Sequence, residues 1–202
     1  VARPHALALF PEELVNELSR VGVVLAEDES RRLMAQFFDR TRPSKRPLSK
    51  AKQRLVAEAL DATRLEVLER VTDPSDGFVK YLFRSPDGAL SEAVRIPLDR
   101  PGRFSVCLSS QVGCGMQCAF CATGRLGLTR NLEAWEMVSA FLTVRDEAPG
   151  RVTGAVFQGQ GEPLHNYEAV IQAARVLSDP AGGRVAKENI TISTVGLVPQ
   201  TL

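Results

Sequence analysis

The chain has 202 residues, of which 44% are hydrophobic and 24% are charged. This is the composition of a globular protein, and it excludes intrinsic disorder, a collagen helix and a coiled coil. The formal net charge is +1, so there is no global signature of a polyanion-binding protein. No apolar run approaches the roughly 18 residues that span a membrane, and residues 1–10 are too short and interrupted for a secretory signal. We therefore expect a soluble, cytoplasmic protein with no membrane partner.

Helical periodicity dominates the first 60 residues. Apolar side chains recur at helical spacing over residues 11–21 and 28–40, and a third helix is predicted to start at Ser49. The only block of like charge overlaps this region and contains no acid; its cations are Arg40, Arg42, Lys45, Arg46, Lys50, Lys52 and Arg54. A solvated linker and a surface for nucleic-acid phosphates explain this block about equally well.

The pattern changes from helical to alternating after residue 76. Two runs of alternating apolar and polar residues flank Pro86-Asp87-Gly88. These three residue types favour a tight turn, so the segment predicts a β-hairpin. From residue 103 onward, strands alternate with helices predicted over about 131–145 and 167–178, which predicts βα units and a parallel sheet. We expect an α/β fold with a helical region (1–75), a hairpin connection (76–100) and an α/β unit (101–202). The sequence stops directly after the third parallel strand, so we expect this sheet to be incomplete.

All four cysteines lie between residues 107 and 121. A disulfide framework would scatter its cysteines, so this cluster indicates metal ligation or redox chemistry. Cys114, Cys118 and Cys121 are spaced by three and then two residues, which allows one loop to wrap three thiolates around a metal centre. An iron–sulfur cluster held by three cysteines keeps one iron open to a ligand. A zinc site closed by four thiolates, including Cys107, is the alternative.

The residues around these cysteines match a known family. The spacing is the signature of the radical S-adenosylmethionine (radical SAM) superfamily, and residues 107–132 closely resemble the RlmN/Cfr family of radical SAM RNA methyltransferases. Residues 159–164 (GQGEPL) and 192–199 (ISTVGLVP) match two further family motifs in the same order. The resemblance implies a partial (βα) radical SAM barrel, preceded by a helical accessory domain that helps to hold RNA.

The resemblance also implies cofactors, substrates and partners. The cofactors are a [4Fe-4S] cluster and S-adenosylmethionine, which is cleaved to a 5′-deoxyadenosyl radical and methionine. The implied reaction methylates an adenosine ring carbon in 23S rRNA, tRNA or both, with C2 as our first choice and C8 as the alternative. A flavodoxin-type protein is the expected electron donor, and no DNA partner is expected.

The resemblance implies roles for those residues of this chain that match functional positions in the family motifs. Cys114, Cys118 and Cys121 are assigned to the cluster, Gly161 and Glu162 to the methionine end of the cofactor, and Ser193 to its ribose. Two catalytic residues complete the list. Cys107 matches a cysteine that faces the active site and helps to resolve a protein–RNA adduct, and Glu92 matches an acid considered a proton acceptor.

The sequence departs from the family at two places. The family's second catalytic cysteine, which is methylated and carries the new carbon, lies far toward the C-terminus and has no counterpart here. We therefore expect a member truncated at its C-terminus that does not complete methyl transfer alone. Gln158 and Gln160 replace a methionine-rich stretch, which leaves the target nucleotide open.

Two other classes of function remain as alternatives. One is a non-catalytic RNA-binding module stabilised by zinc. The other is a radical enzyme that acts on a small molecule, which would leave the basic block without a purpose.

Overall fold

A computed structural model describes residues 3–39, 41 and 46–197 of the chain. Five helices and eight strands are present in this part. The helices are α1 (Pro11–Ser19), α2 (Glu27–Phe38), α3 (Lys50–Ala59), α4 (Ala134–Glu147) and α5 (Tyr167–Ser178). The strands are β1 (Glu66–Thr72), β2 (Val79–Arg84), β3 (Leu90–Pro97), β4 (Arg103–Leu108), β5 (Gln111–Gly113), β6 (Leu128–Asn131), β7 (Arg151–Phe157) and β8 (Ile190–Ile192).

The three predicted N-terminal helices are present, with local start signals that explain their boundaries. The Ser49 hydroxyl accepts a hydrogen bond from the Lys52 amide at 3.3 Å and caps α3. At the start of α1, the Phe10 amide donates to the Glu13 carboxylate at 2.8 Å. In the basic block, Arg40, Arg42 and Lys45 lie outside the described residues, as do the last two residues of the third motif (198–199).

Six strands form one mixed sheet in the order β1-β2-β3-β4-β7-β8. Strands β1 to β4 pair antiparallel, whereas β4, β7 and β8 pair parallel. The predicted hairpin is β2–β3 and the predicted βα units are present, so the α/β fold with parallel strands is confirmed. The hairpin belongs to the same sheet as the parallel strands.

Strand β1 was missed by the sequence prediction. It lies inside the range 1–75 that was assigned to helices, and the last N-terminal helix ends at Ala59. Most of β1 is exposed, and Glu66, Glu69 and Arg70 interrupt any alternation of apolar and polar positions. A charged, exposed strand of this kind is typical of a sheet edge, where charge discourages pairing with other chains.

The core lies between one face of the sheet and helices α4 and α5. Alternate strand residues such as Val106 and Phe157 are fully buried against α4, whose own Val138 and Phe141 are also fully buried. Helix α4 is buried on nearly all sides because the N-terminal segment covers its outer face. There His5 stacks on Trp135 with ring centroids 4.3 Å apart. The N-terminal helices therefore pack onto the α/β unit and contribute to the same core.

Candidate functional site

The predicted cluster and cofactor residues lie in segments that follow the carboxyl ends of the parallel strands β4, β7 and β8. Strand β4 pairs with β7 so that Cys107 lies opposite Val156, and the loops after both strands leave the sheet at the same edge. Ser193 follows β8, and its amide donates to the Phe157 carbonyl at 3.0 Å. Ligand sites of open parallel sheets lie at this edge, beyond the carboxyl ends of the strands. The fold therefore brings three separate sequence motifs to one place.

The cysteine motif occupies the loop of a short antiparallel ribbon formed by β5 and β6. The Cys114 amide donates to the Gly127 carbonyl at 2.9 Å and closes this loop at its base. Gly113 makes the closure possible, because its φ is +77° and a Cβ there would lie 1.9 Å from the Gly127 oxygen. Residues 114–127 thus form a hairpin loop that carries all three motif cysteines.

The chemistry of this loop fits a cluster bound by thiolates. Cys114 is buried, whereas Cys118 and Cys121 are partly exposed. Hydrogen bonds from the backbone amides of Gly124 and Thr123 lower the pKa of the Cys121 thiol, and amides directed at sulfur are a common feature of iron–sulfur sites. Within residues 3–39, 41 and 46–197, no three His, Cys, Asp or Glu side chains are gathered closely enough to hold a metal ion. The three thiols would have to turn toward one point to share a cluster.

Glu162 is buried and held in the loop after β7. Its carboxylate accepts hydrogen bonds from the Leu164 amide at 2.8 Å, the Thr194 hydroxyl at 2.5 Å and the Val195 amide at 3.0 Å. The last two contacts join this loop to the segment after β8, where Ser193 lies. A carboxylate has about four acceptor positions, so one remains for a further donor such as an ammonium group.

A network of buried amides positions this loop, and the sequence prediction did not include it. Gln111, fully buried, accepts the Glu162 amide at 2.9 Å and donates to the Asn131 side chain at 2.7 Å. Asn166 donates to the carbonyls of Ser110 and Leu132 at 2.8 and 2.7 Å. The network ties together the segments after β4, β6 and β7. The polar run Ser109-Ser110-Gln111 directly after an apolar strand was the available signal for it, because buried polar groups require partners.

Cys107 and Glu92 lie on the sheet face opposite the helices. In the antiparallel register Val94 faces Cys107, and Glu92 is two residues before Val94, so all three share that face. Burial raises the pKa of the Cys107 thiol, with an opposing contribution from the Gln158 amide. Glu92 forms an ion pair with Lys80 at 2.9 Å, and its side chain is 30% exposed. The register therefore places both predicted catalytic residues on one face.

Arg130, just after the cysteine loop, has a structural role. Its guanidinium bonds both oxygens of the buried Glu136 carboxylate, at 2.8 and 2.9 Å. It also bonds both oxygens of Asp87 in the β2–β3 turn, at 2.7 and 3.1 Å. The Glu136 contact, followed by Asp87, raises the pKa of Arg130. The side chain thereby connects the hairpin turn, the cysteine ribbon and the start of α4.

Comparison with known proteins places these features in context. No family model matches the chain. It is 55% identical over 152 residues to a probable RNA methyltransferase of Sorangium cellulosum, a match that covers 69% of this chain and 39% of that protein. It is 37% identical over 196 residues to the probable dual-specificity RNA methyltransferase RlmN of Thermotoga neapolitana, covering 96% of this chain and 56% of the relative.

A solved structure shares the fold. The crystal structure of a radical SAM methyltransferase from Sphaerobacter thermophilus superposes with a TM-score of 0.84 at 34% identity, covering 97% of this chain and 58% of that one. The chain spans about half the length of the curated relatives it matches. Among the described residues, no helix is long and apolar enough to cross a membrane.

Proposed function

Because the chain belongs to the RlmN/Cfr family of radical SAM RNA methyltransferases, we propose that it supplies the cluster loop and part of the cofactor site of an RNA-methylating enzyme. The observation that carries this proposal is the meeting of three motifs at one sheet edge. The cysteine loop follows β4, the Gly161-Glu162 loop follows β7, and Ser193 follows β8. Hydrogen bonds through Gln111 and Glu162 join these segments.

Each site residue has a distinct part in this proposal. Cys114, Cys118 and Cys121 would hold the [4Fe-4S] cluster, which when bound supplies the electron for reductive cleavage of S-adenosylmethionine. The free acceptor position of Glu162 suits the ammonium group of the cofactor's methionine end. Ser193, directly after the adjacent strand β8, would contact the ribose of the cofactor.

Gly161 and the two catalytic candidates complete the assignment. Gly161 has a φ of +101° and no side chain, so the backbone approaches Ser110 and Gln111 closely. Gly161 is half-buried beside Glu162, and in our proposal its backbone contacts the same end of the cofactor. Glu92 and Cys107 share the sheet face opposite the core, where a base could approach them. In our proposal Cys107 resolves a protein–RNA adduct and Glu92 accepts a proton.

The finer assignments follow from the resemblance. We propose methylation at C2 of an adenosine in 23S rRNA, tRNA or both, in the cytoplasm, with electrons from a flavodoxin-type donor. The helical region within residues 1–75 would act as the accessory RNA-binding part. Methylation at C8 is the second candidate, because Gln158 and Gln160 depart from the family's methionine-rich stretch. The target base would have to be flipped out of a folded RNA to reach the site.

Anaerobic reconstitution tests the central part of this proposal. The chain is purified without oxygen, supplied with iron and sulfide, and measured for iron, sulfide and zinc, with EPR of the reduced protein. We expect about four irons per chain, as a [4Fe-4S] cluster requires, and a signal that changes when S-adenosylmethionine is added. Cys118→Ser should abolish the cluster, whereas the matched variant Cys107→Ser should retain it. Stoichiometric zinc without a cluster would instead support the zinc-stabilised RNA-binding module.

A further inference from the structure

Three arginines meet at the amino ends of β4 and β7, on the opposite edge of the sheet from the cysteine loop. Arg100, Arg103 and Arg151, together with Leu98 and Thr153, line a cavity of about 340 Å³. No acidic side chain lines it. Strand β4 separates this cavity from the candidate site by five residue steps, or about 17 Å at roughly 3.3 Å per residue.

The backbone fixes these arginines close together. The Arg103 amide donates to the Arg100 carbonyl at 3.1 Å, and the Arg151 amide donates to the Gly102 carbonyl at 2.9 Å. In the parallel register Arg103 lies directly opposite Arg151. The register therefore places two positively charged side chains next to each other on one face of the sheet, where both can contact one bound anion.

None of the three arginines has an ion pair within the described part of the chain, although most other arginines of β-strands and helices do. Asp99 is adjacent in sequence, yet it does not line the cavity. Three unneutralised guanidinium groups around one cavity are the donor set that recognises phosphate, because each guanidinium matches two phosphate oxygens.

A second cavity extends this surface toward the basic block of residues 40–54. It has a volume of about 450 Å³, shares Arg151 with the first, and is also lined by Arg145, Arg184 and Thr41 and by two acids, Asp39 and Asp146. Arg145 pairs with Asp146 at 2.7 Å, and the Arg184 guanidinium donates to the Pro180 carbonyl at 3.2 Å. Thr41, an uncharged residue within the range 40–54, therefore lines the same cavity as Arg151.

We propose that Arg100, Arg103 and Arg151 form a binding site for phosphate groups of an RNA backbone, separate from the site of methyl transfer. The identification of the ligand as RNA rests on the proposed function. The phosphate chemistry itself rests on the three arginines and their register. Such a site would position the RNA without reading its sequence.

The test uses the 202-residue chain and a fluorescein-labelled RNA hairpin, with affinity measured by anisotropy over a range of salt concentrations. The variant Arg103→Gln/Arg151→Gln removes the facing pair. Arg84→Gln/Arg175→Gln is the matched control, since it removes the same charge from two arginines that lie outside residues 1–75 and outside both cavities. Arg84 pairs with Glu66, and the Arg175 guanidinium lies over the Phe10 ring. We expect the cavity variant to weaken RNA binding on the order of tenfold and to lower the salt slope by about two. The control should change affinity by less than about twofold.

Thermal unfolding with inorganic phosphate separates the possible sources of the anion. Phosphate should raise the Tm of the wild type more than that of Arg103→Gln/Arg151→Gln. Equal RNA affinity and equal salt slope in the cavity variant and the control would overturn the proposal, and so would a wild type that binds no RNA. Stabilisation by inorganic phosphate without any effect on RNA binding would overturn the assignment to RNA. Cluster content should be the same in these variants as in the wild type, because the substitutions lie at the other end of β4 and β7 from the cysteine loop, so failure here is distinguishable from failure of the proposed function.

Discussion

Gly161→Ala tests whether the loop carrying Glu162 is positioned by close packing. A Cβ at residue 161 would lie 2.6 Å from the Gln111 Cβ and 2.7 Å from the Ser110 Oγ, well inside van der Waals contact. Relieving such an overlap costs about 1–3 kcal/mol. The φ of +101° adds a backbone cost of about 1–3 kcal/mol for a residue with a side chain. The free energy of unfolding should therefore fall by about 2–6 kcal/mol, the sum of these two costs.

Gly88→Ala is the matched control, since Gly88 has a φ of +86° and no atom within 4 Å of the added Cβ. It should incur the backbone cost alone. Urea unfolding of both variants isolates the packing contribution as the difference between their losses of unfolding free energy. In thermal unfolding, each kcal/mol of this contribution should lower the Tm of Gly161→Ala by about 2–4 °C further. S-adenosylmethionine binding to the reconstituted protein, measured by the change in its EPR signal, should weaken only in Gly161→Ala. Equal destabilisation by the two substitutions would refute the packing of this loop against Ser110 and Gln111.

Three further predictions concern other buried groups. Burial lowers the pKa of His5 from its ordinary 6.5. The wild type should therefore lose stability relative to His5→Phe as the pH falls below about 6.5 toward the lowered native pKa, and the loss should be about 1.4 kcal/mol for each pH unit by which the pKa is lowered. Urea unfolding of both proteins from pH 8 to 5 measures this loss, and an equal pH dependence of the two would contradict it. Asn166→Ala leaves the Leu132 carbonyl without its side-chain donor, whereas the Ser110 carbonyl still accepts the Leu132 amide at 3.1 Å. The free energy of unfolding should fall by about 1–3 kcal/mol, and a loss below about 0.5 kcal/mol in urea unfolding would show that the bridge contributes little. In a variant whose other three cysteines are replaced by serine, the rate of Cys107 alkylation by iodoacetamide is measured against pH. The rate should reach half its maximum at a pH above the ordinary thiol pKa, because burial raises the pKa of this thiol. A midpoint pH at or below that of a cysteine in a model peptide would contradict this.

The elements with strong periodicity were predictable from the sequence. A Pro-Asp-Gly turn between two runs of alternating apolar and polar residues predicts the β2–β3 hairpin. Apolar residues at helical spacing predict α4 and α5, each of which lies between two apolar strands. The cysteine spacing indicated a ligand loop, and the strand order then placed Glu162 and Ser193 beside it, because parallel strands end at one edge.

Other features depend on contacts between distant residues and left little trace in the local pattern. Strand β1 has no clean alternation, since it is an exposed edge strand whose pairing with β2 supplies its structure. The short ribbon β5–β6 surrounds a loop rich in glycine and cysteine, where propensity favours no regular element. Gln111 and Asn166 are ordinary polar residues in sequence, and only the fold shows that both are buried and bridge separate loops.

The direction of β4 and β7 separates the two proposed activities in space. Both strands begin at Arg103 and Arg151 and end beside the loops that carry the cysteines and Glu162. Perturbations at sites more than about 7–10 Å apart with no shared partner are expected to add within about 0.3–0.5 kcal/mol. Gly161→Ala should therefore reduce the free energy of unfolding equally in the wild type and in Arg103→Gln/Arg151→Gln. A difference beyond about 1 kcal/mol between the two backgrounds in urea unfolding would mean that the sheet couples its two ends, since independent sites add more closely than this. The RNA phosphate site and the cofactor loop would then form a single functional unit.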